Sequence, residues 1–263
     1  MSFEERLIEY YNSGYENKRL RTDNAHSIEY LTSVHYFNKL FPKKAKILDC
    51  CAGGGIYSYY LAEKGYSVTV SDLSPRNIDT IKSNRKSKLF DEILRLNVLD
   101  MSCFEDDSFD IVLCMGAFYH LKNRDERSKC ISECLRVLKN GGLFVLSYIN
   151  RNPCVLYQFW QKPKNIKDQA EIIETGDNNL FYAVDFDEID SVVDEFGLEK
   201  IKNIGVDGSA YPLHKKINSL NKKHFNDFFD YHLSVCEQPS IIGNSMHGLL
   251  FAKKENRKCM ESI

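Results

Sequence analysis

No apolar run in this chain approaches the about 20 residues of a membrane-spanning helix. Charge imbalance is also missing. The 35 Lys and Arg face 37 Asp and Glu, a formal net charge of −2, so no global field draws in nucleic acid. The nine cysteines contain no C-x-x-C pair, and no ligand pair has the spacing of a zinc finger. They are odd in number and scattered along the chain, and Cys50, Cys51 and Cys114 fall in expected buried strands. We read them as reduced thiols of a cytoplasmic protein, with no metal site. The opening Met-Ser-Phe-Glu-Glu-Arg is charged and carries no apolar signal region. There is no internal repeat and no low-complexity segment.

What is present is an ordinary folded composition, 43% hydrophobic and 27% charged. The length of 263 residues suits one large α/β domain, or one domain with an inserted cap. Local basic groups occur at Arg85-Lys-Ser-Lys88, at His214-Lys-Lys216 and at Lys222-Lys-His224. They read first as solvated helix faces.

The informative stretch is Ile47-Leu-Asp-Cys-Cys-Ala-Gly-Gly-Gly-Ile-Tyr57, followed by Tyr66-Ser-Val-Thr-Val-Ser-Asp72. It predicts a buried strand, a glycine turn, a helix ended by Gly65, and a β-branched strand ending in an acid. A helix follows Ser74-Pro75, with Ser as N-cap and Pro at its first position. Further strands are expected at Ile93–Asn97, Phe109–Cys114 and Leu143–Tyr148, the last after a helix over Arg124–Leu138 that Asn140-Gly-Gly142 ends. This alternation predicts a mainly parallel sheet covered on both faces. Residues 1–41 read as helical and amphipathic. Beyond Asn150, a helix over Asp187–Phe196, a strand over Leu198–Val206, a helical stretch over 213–236 and a last strand over His247–Ala252 are expected. The segments 151–186 and 207–245 read as caps over the face where ligands bind, or as peripheral helices with their own small core.

The pattern D-x-C-x-G-x-G at Asp49–Gly55 resembles motif I of the class I S-adenosyl-L-methionine (SAM)-dependent methyltransferases. Gly116-Ala-Phe-Tyr-His-Leu121 and Arg136-Val-Leu-Lys-Asn-Gly-Gly-Leu143 resemble two further segments of the UbiE-like members of that family. The similarity covers most of residues 40–150 and returns weakly at the C-terminal strands. It implies a Rossmann-like, seven-stranded sheet whose last strand is antiparallel, forming a domain over 42–263 with a helical lid over 1–41.

The same resemblance implies a SAM site. Asp49, Gly53 and Gly55 match the turn at the methionine part, and Tyr57 follows that turn. Asp72, with Leu73 beside it, matches the acid that holds the ribose hydroxyls. Asp100 matches the acid near the adenine amino group, with Met101 beside the ring. Met115 and Gly116 face the methionyl end. Tyr11 and Arg21, with Tyr10 nearby, would close the lid over the sulfonium and the carboxylate. Cys51 replaces the first motif glycine, so its backbone must avoid positive φ.

Each residue has a competing structural reading. Asp72 suits a helix N-cap, the glycines a plain turn, and the N-terminal segment a surface helix. His120 suits a general base, or a histidine that orients its own loop. Tyr119 suits a methyl-transfer wall or core packing.

The expected function is methyl transfer from SAM to a small-molecule acceptor by in-line displacement. The N-P-P-Y signature of many nucleic-acid amino methyltransferases is absent after the fourth strand, where Cys114-Met-Gly-Ala117 stands. The rivals are a methyltransferase acting on RNA or protein, and a non-enzymatic SAM-binding protein. An NAD-dependent oxidoreductase is more distant, because a clean G-x-G-x-x-G turn is wanting and no convincing hydride-transfer site, such as a catalytic Tyr-x-x-x-Lys, is found. Neither the acceptor nor the oligomeric state is legible.

Overall fold

The structure is a computed structural model, and it describes residues 3–12, 19–163, 170–177 and 180–255. Parts of the expected lid and cap, at 13–18, 164–169 and 178–179, lie outside the described residues. The first 41 residues hold two helices, α1 (Phe3–Asn12) and α2 (Asn24–Leu40). Asp23 caps α2 by accepting from the His26 N–H at 2.9 Å.

Then the βα alternation begins: β1 (Lys46–Asp49), α3 (Ile56–Glu63), β2 (Ser67–Asp72), α4 (Pro75–Ser83), β3 (Glu92–Arg95), β4 (Phe109–Cys114), α5 (Arg124–Val137) and β5 (Leu138–Asn150). The Ser74 side chain accepts from the Asn77 N–H, and Pro75 opens α4, as the sequence predicts. Next come α6 (Arg151–Gln161), α7 (Ala170–Thr175), β6 (Ala183–Val184), α8 (Glu188–Glu195) and β7 (Leu198–Gly205). The chain continues through α9 (Ala210–Asn218), α10 (Lys222–Val235), α11 (Pro239–Ile242) and β8 (His247–Lys254).

The main sheet runs β3-β2-β1-β4-β5-β8-β7. The first five strands are mutually parallel, and β8 lies between β5 and β7, antiparallel to both. The two-residue β6 pairs with the far end of β5, so the sheet has eight strands where seven were expected. Asn140-Gly-Gly142, expected to end a helix, is the early part of β5. Gly141 takes φ +76, and the β4–β5 register shifts between Phe109 and Ile111. A local kink thus lets the chain enter the strand directly from α5.

Two apolar layers flank the sheet. One joins α2 and α3 to the sheet through Phe37, Leu61, Val70 and Phe251. The other joins α5 and α8 to it through Leu48, Val112, Ile131, Phe144 and Ile189. The strands β1, β2 and β4 are almost wholly buried, so their carboxyl ends form a rigid rim. Among the described residues no helix is long and apolar enough to cross a membrane.

Candidate active site

A cleft opens at the carboxyl ends of β1, β2 and β4. This is where open α/β sheets take their ligands. The glycine turn after β1 builds its floor. Gly53 and Gly55 adopt φ +56 and +79, which glycine alone reaches without strain. Cys51 stays out of the left-handed region. A side chain on Gly116 would stand 3.1 Å from the Cys51 carbonyl oxygen, so its lack of one lets the end of β4 approach the turn.

Asp72 closes one side. Its Oδ2 accepts from the Gly53 N–H at 2.7 Å, and its Oδ1 from the Ser74 N–H at 2.8 Å and the Asn77 amide at 3.1 Å. Burial pushes its carboxyl up, and the three donors oppose that. An ionised carboxylate offers about four acceptor positions, so about one is left for a ligand hydroxyl. Asn77 supplies a second. Asn77 lines the same cleft, and its Oδ1 is buried with no hydrogen-bond partner among the described residues. A vicinal diol, such as a ribose, fits this pair: one hydroxyl to Asp72 and one to Asn77 Oδ1.

Asp49 lies deeper, fully buried, with its Oδ2 accepting from the Ser58 hydroxyl. Burial, opposed by that hydroxyl and reinforced by the Asp72 carboxylate, pushes its carboxyl up to about 7. A cationic ligand end beside it would restore its charge.

The opposite wall holds Tyr11, Met115, Tyr119 and His120. His120 is 5% exposed, on a short turn after β4. Its Nδ1 lies 2.8 Å from the Leu180 carbonyl oxygen, and its Nε2 lies 2.6 Å from Tyr11 Oη. A carbonyl only accepts, so the neutral ring carries its proton on Nδ1 and the Tyr11 hydroxyl donates to Nε2. The Tyr182 N–H also donates to the Tyr119 carbonyl at 2.7 Å, so the segment around 180–182 straps the turn.

Tyr57, Leu73 and Cys51 line the cleft as well. Gly55 shapes the turn from outside the lining, as the N-cap position of α3. Asp100, Met101 and Arg21 are not brought into it. Asp100 is exposed, and its side chain accepts from the Ser102 N–H in its own turn. Met101 is wholly buried in the layer under α5, and its N–H donates to Glu133. Leu96, Asn97 and Val98 line the cleft there instead. Arg21 is exposed and stacks over Tyr30. Arg19 takes the inward place, gripping Glu29 at 2.6 and 3.2 Å.

Comparison with known proteins agrees with this geometry. A family profile described as a methyltransferase domain matches residues 48–146, the stretch that builds the cleft floor. A glycine/sarcosine N-methyltransferase of Parasynechococcus marenigrum is 28% identical over 171 residues, 64% of this chain and 55% of that protein. A ubiquinone biosynthesis O-methyltransferase of Psychrobacter cryohalolentis is 32% identical over 111 residues, 41% of this chain and 42% of that protein. Residues 48–146 thus carry a methyltransferase domain. The chain spans about half the length of the curated relatives it matches. A solved SAM-dependent methyltransferase of Thermotoga maritima shares the fold, with a TM-score of 0.58 at 16% identity over 95% of this chain and 99% of that one.

Sequence reading of this methyltransferase domain passed over Asn77 and Arg19. Asn77 had a signal: it sits three residues after the N-cap Ser74, on the first turn of the helix that follows Asp72. Arg19 had none, because which of Arg19 and Arg21 turns inward depends on packing between distant elements. Its NH1 also reaches Tyr211 Oη at 3.3 Å. Behind it His247 is wedged between two acids, 2.7 Å from Asp207 and 3.4 Å from Glu29. Burial favours the neutral ring, but Glu29 and Asp207 together hold its pKa above the ordinary value.

Proposed function

We propose that the chain transfers the methyl group of SAM to a small-molecule acceptor held between the glycine turn and the Tyr11–His120 wall. The observation that carries this reading is that one cleft joins a diol grip, Asp72 with Asn77, to an aromatic wall bearing a buried histidine. The glycine turn and Asp49 face the amino-acid part of SAM, and Asp72 with Asn77 hold its ribose. Leu96, Asn97 and Val98 flank the adenine, in the place assigned from sequence to Asp100 and Met101.

When bound, SAM supplies a methyl carbon already activated by the positive sulfonium. The protein is then left to align the acceptor, exclude water and take up one proton. Tyr11, Tyr119 and Met115 exclude water and suit a cationic centre. His120 offers its Nε2 lone pair toward the cleft, through the Tyr11 hydroxyl, and takes the acceptor's proton. Tyr119 lies against the His120 ring, with centroids 4.9 Å apart, and fixes its plane. The named activities of the two relatives, on glycine or sarcosine and in ubiquinone biosynthesis, favour a small molecule as acceptor.

The test is transfer of labelled methyl from SAM to a panel of small amines, carboxylates and phenols. Turnover on one class, lowered in His120→Ala at least ten-fold beyond any loss of S-adenosylhomocysteine affinity, supports the reading. Label appearing only in RNA or protein would replace the acceptor class.

A further inference from the structure

Five cysteines converge behind the cofactor turn. Cys50 follows β1 and Cys114 ends β4, and these strands pair in parallel with Asp49 opposite Leu113. Cys50 and Cys114 are therefore neighbours on the side of the sheet that faces α5. Cys130 and Cys134 stand four residues apart on α5, one turn above the other, and face the same spot. The Sγ atoms of Cys50 and Cys134 lie 3.9 Å apart, and those of Cys114 and Cys130 lie 3.7 Å apart. The sulfurs of Cys114, Cys130 and Cys134 all fall within 4.8 Å of one another, and so do those of Cys50, Cys51 and Cys114.

These separations exceed the S–S bond of about 2.05 Å, so the thiols are unpaired. They match the edge, about 3.8 Å, of a thiolate set around an ion at about 2.3 Å from each sulfur. A buried cysteine alone is a small apolar residue. Packing does not require five sulfurs, drawn from two strands and a helix, to face one another.

We propose that Cys114, Cys130 and Cys134, with Cys50 beside them, bind one soft d10 metal ion, monovalent copper or zinc, and that Cys51 joins the site to the cofactor cleft. Thiolate ligands select these ions over harder ones. Each thiol that becomes a ligand gives up its proton to solvent, so uptake releases protons. A site this deeply buried favours a small net charge, which monovalent copper on two thiolates and zinc on three meet equally. Cys51 is part-exposed and lines the cleft, which provides the entry path. The bound ion ties the end of β1 to α5, directly beneath the glycine turn.

The experiment titrates the full-length chain, reduced and without oxygen, against monovalent copper held by a coloured chelator, and separately against zinc held by a dye. The expected result is withdrawal of one equivalent of one ion by the wild type. Cys103→Ser, an exposed thiol outside the cluster, takes up the same amount. Cys114→Ser loses at least ten-fold in affinity, and Cys130→Ala carries the comparison if Cys114→Ser does not fold by circular dichroism. Uptake in the copper arm or the zinc arm identifies the ion. Failure of the folded, reduced wild type to withdraw either ion would overturn the proposal. So would uptake unchanged in both cluster variants.

Discussion

Tyr11 Oη and His120 Nε2 stand 2.6 Å apart, across 109 residues of sequence. This contact joins the N-terminal helix α1 to the turn after β4. The His120 Nδ1 bond to the Leu180 carbonyl joins the same turn to the cap. One buried imidazole therefore ties α1, the sheet rim and the chain at Leu180 together beside the cleft.

Tyr11→Phe removes the donor and keeps the ring. A hydrogen bond of this kind is worth about 0.5–1.5 kcal/mol. The variant should bind S-adenosylhomocysteine roughly 2- to 10-fold more weakly by calorimetry, with faster amide exchange over residues 5–11. Unchanged affinity and exchange would show that the contact does not hold the lid.

Asn77 Oδ1 is an orphan acceptor until a hydroxyl reaches it. Asn77→Ala should weaken S-adenosylhomocysteine by about 1–2 kcal/mol. An analogue lacking the ribose hydroxyl that Asn77 receives should bind wild type and variant nearly alike. An equal loss for both ligands would assign Asn77 to orienting Asp72 alone.

Asp49 gives a pH dependence whose sign can be stated. Its folded pKa, pushed up to about 7, lies above the unfolded value of 3.8. Its protonated form is therefore favoured by folding. That stability is fully present below about pH 4 and is lost as pH rises through about 7. Asp49→Asn should stabilise the ligand-free protein above pH 7, by about 1–4 kcal/mol. A ligand bearing an ammonium should bind more tightly to wild type as pH rises from 6 to 8, with protons released on binding, and this trend should vanish in the variant. Titration in buffers of different ionisation enthalpy reads both.

His247 titrates with the same sign. Its folded pKa is raised, because Glu29 and Asp207 outweigh burial. Its contribution is complete below about pH 6.5 and fades as pH rises above that. Glu29→Gln removes the carboxylate that pairs with half-buried Arg19 and one partner of His247. Breaking such a pair costs about 3–5 kcal/mol. Thermal unfolding at pH 6 and pH 9 should show a larger loss at the lower pH.

The sheet was legible because its strands announce themselves locally. Val68–Ser71 and Ile111–Cys114 are short apolar runs bounded by turns, and Gly53 and Gly55 sit where only glycine serves. Ser74-Pro75 declared the start of α4. The break between α9 and α10 at residues 219–221 was not seen, because no proline or glycine marks it. The two-residue β6 is too short to leave a pattern. Within the site, residues close in sequence to the glycine turn were found, since the turn fixes their direction. Arg19, Glu29 and Asn97 were not, because long-range packing turns them toward the cleft. Cysteines scattered through the sequence meet in space for the same reason: β1, β4 and α5 are neighbours only once the sheet order is known.

Whether Asp72 holds SAM in the cleft is tested by one titration. S-adenosylhomocysteine is titrated calorimetrically into the full-length chain and into Asp72→Ala at pH 8. The account predicts one site per chain in the wild type, with affinity at least ten-fold weaker in the variant and both proteins folded. A folded wild type that takes up no heat-producing ligand, or an Asp72→Ala variant that binds equally well, would contradict it.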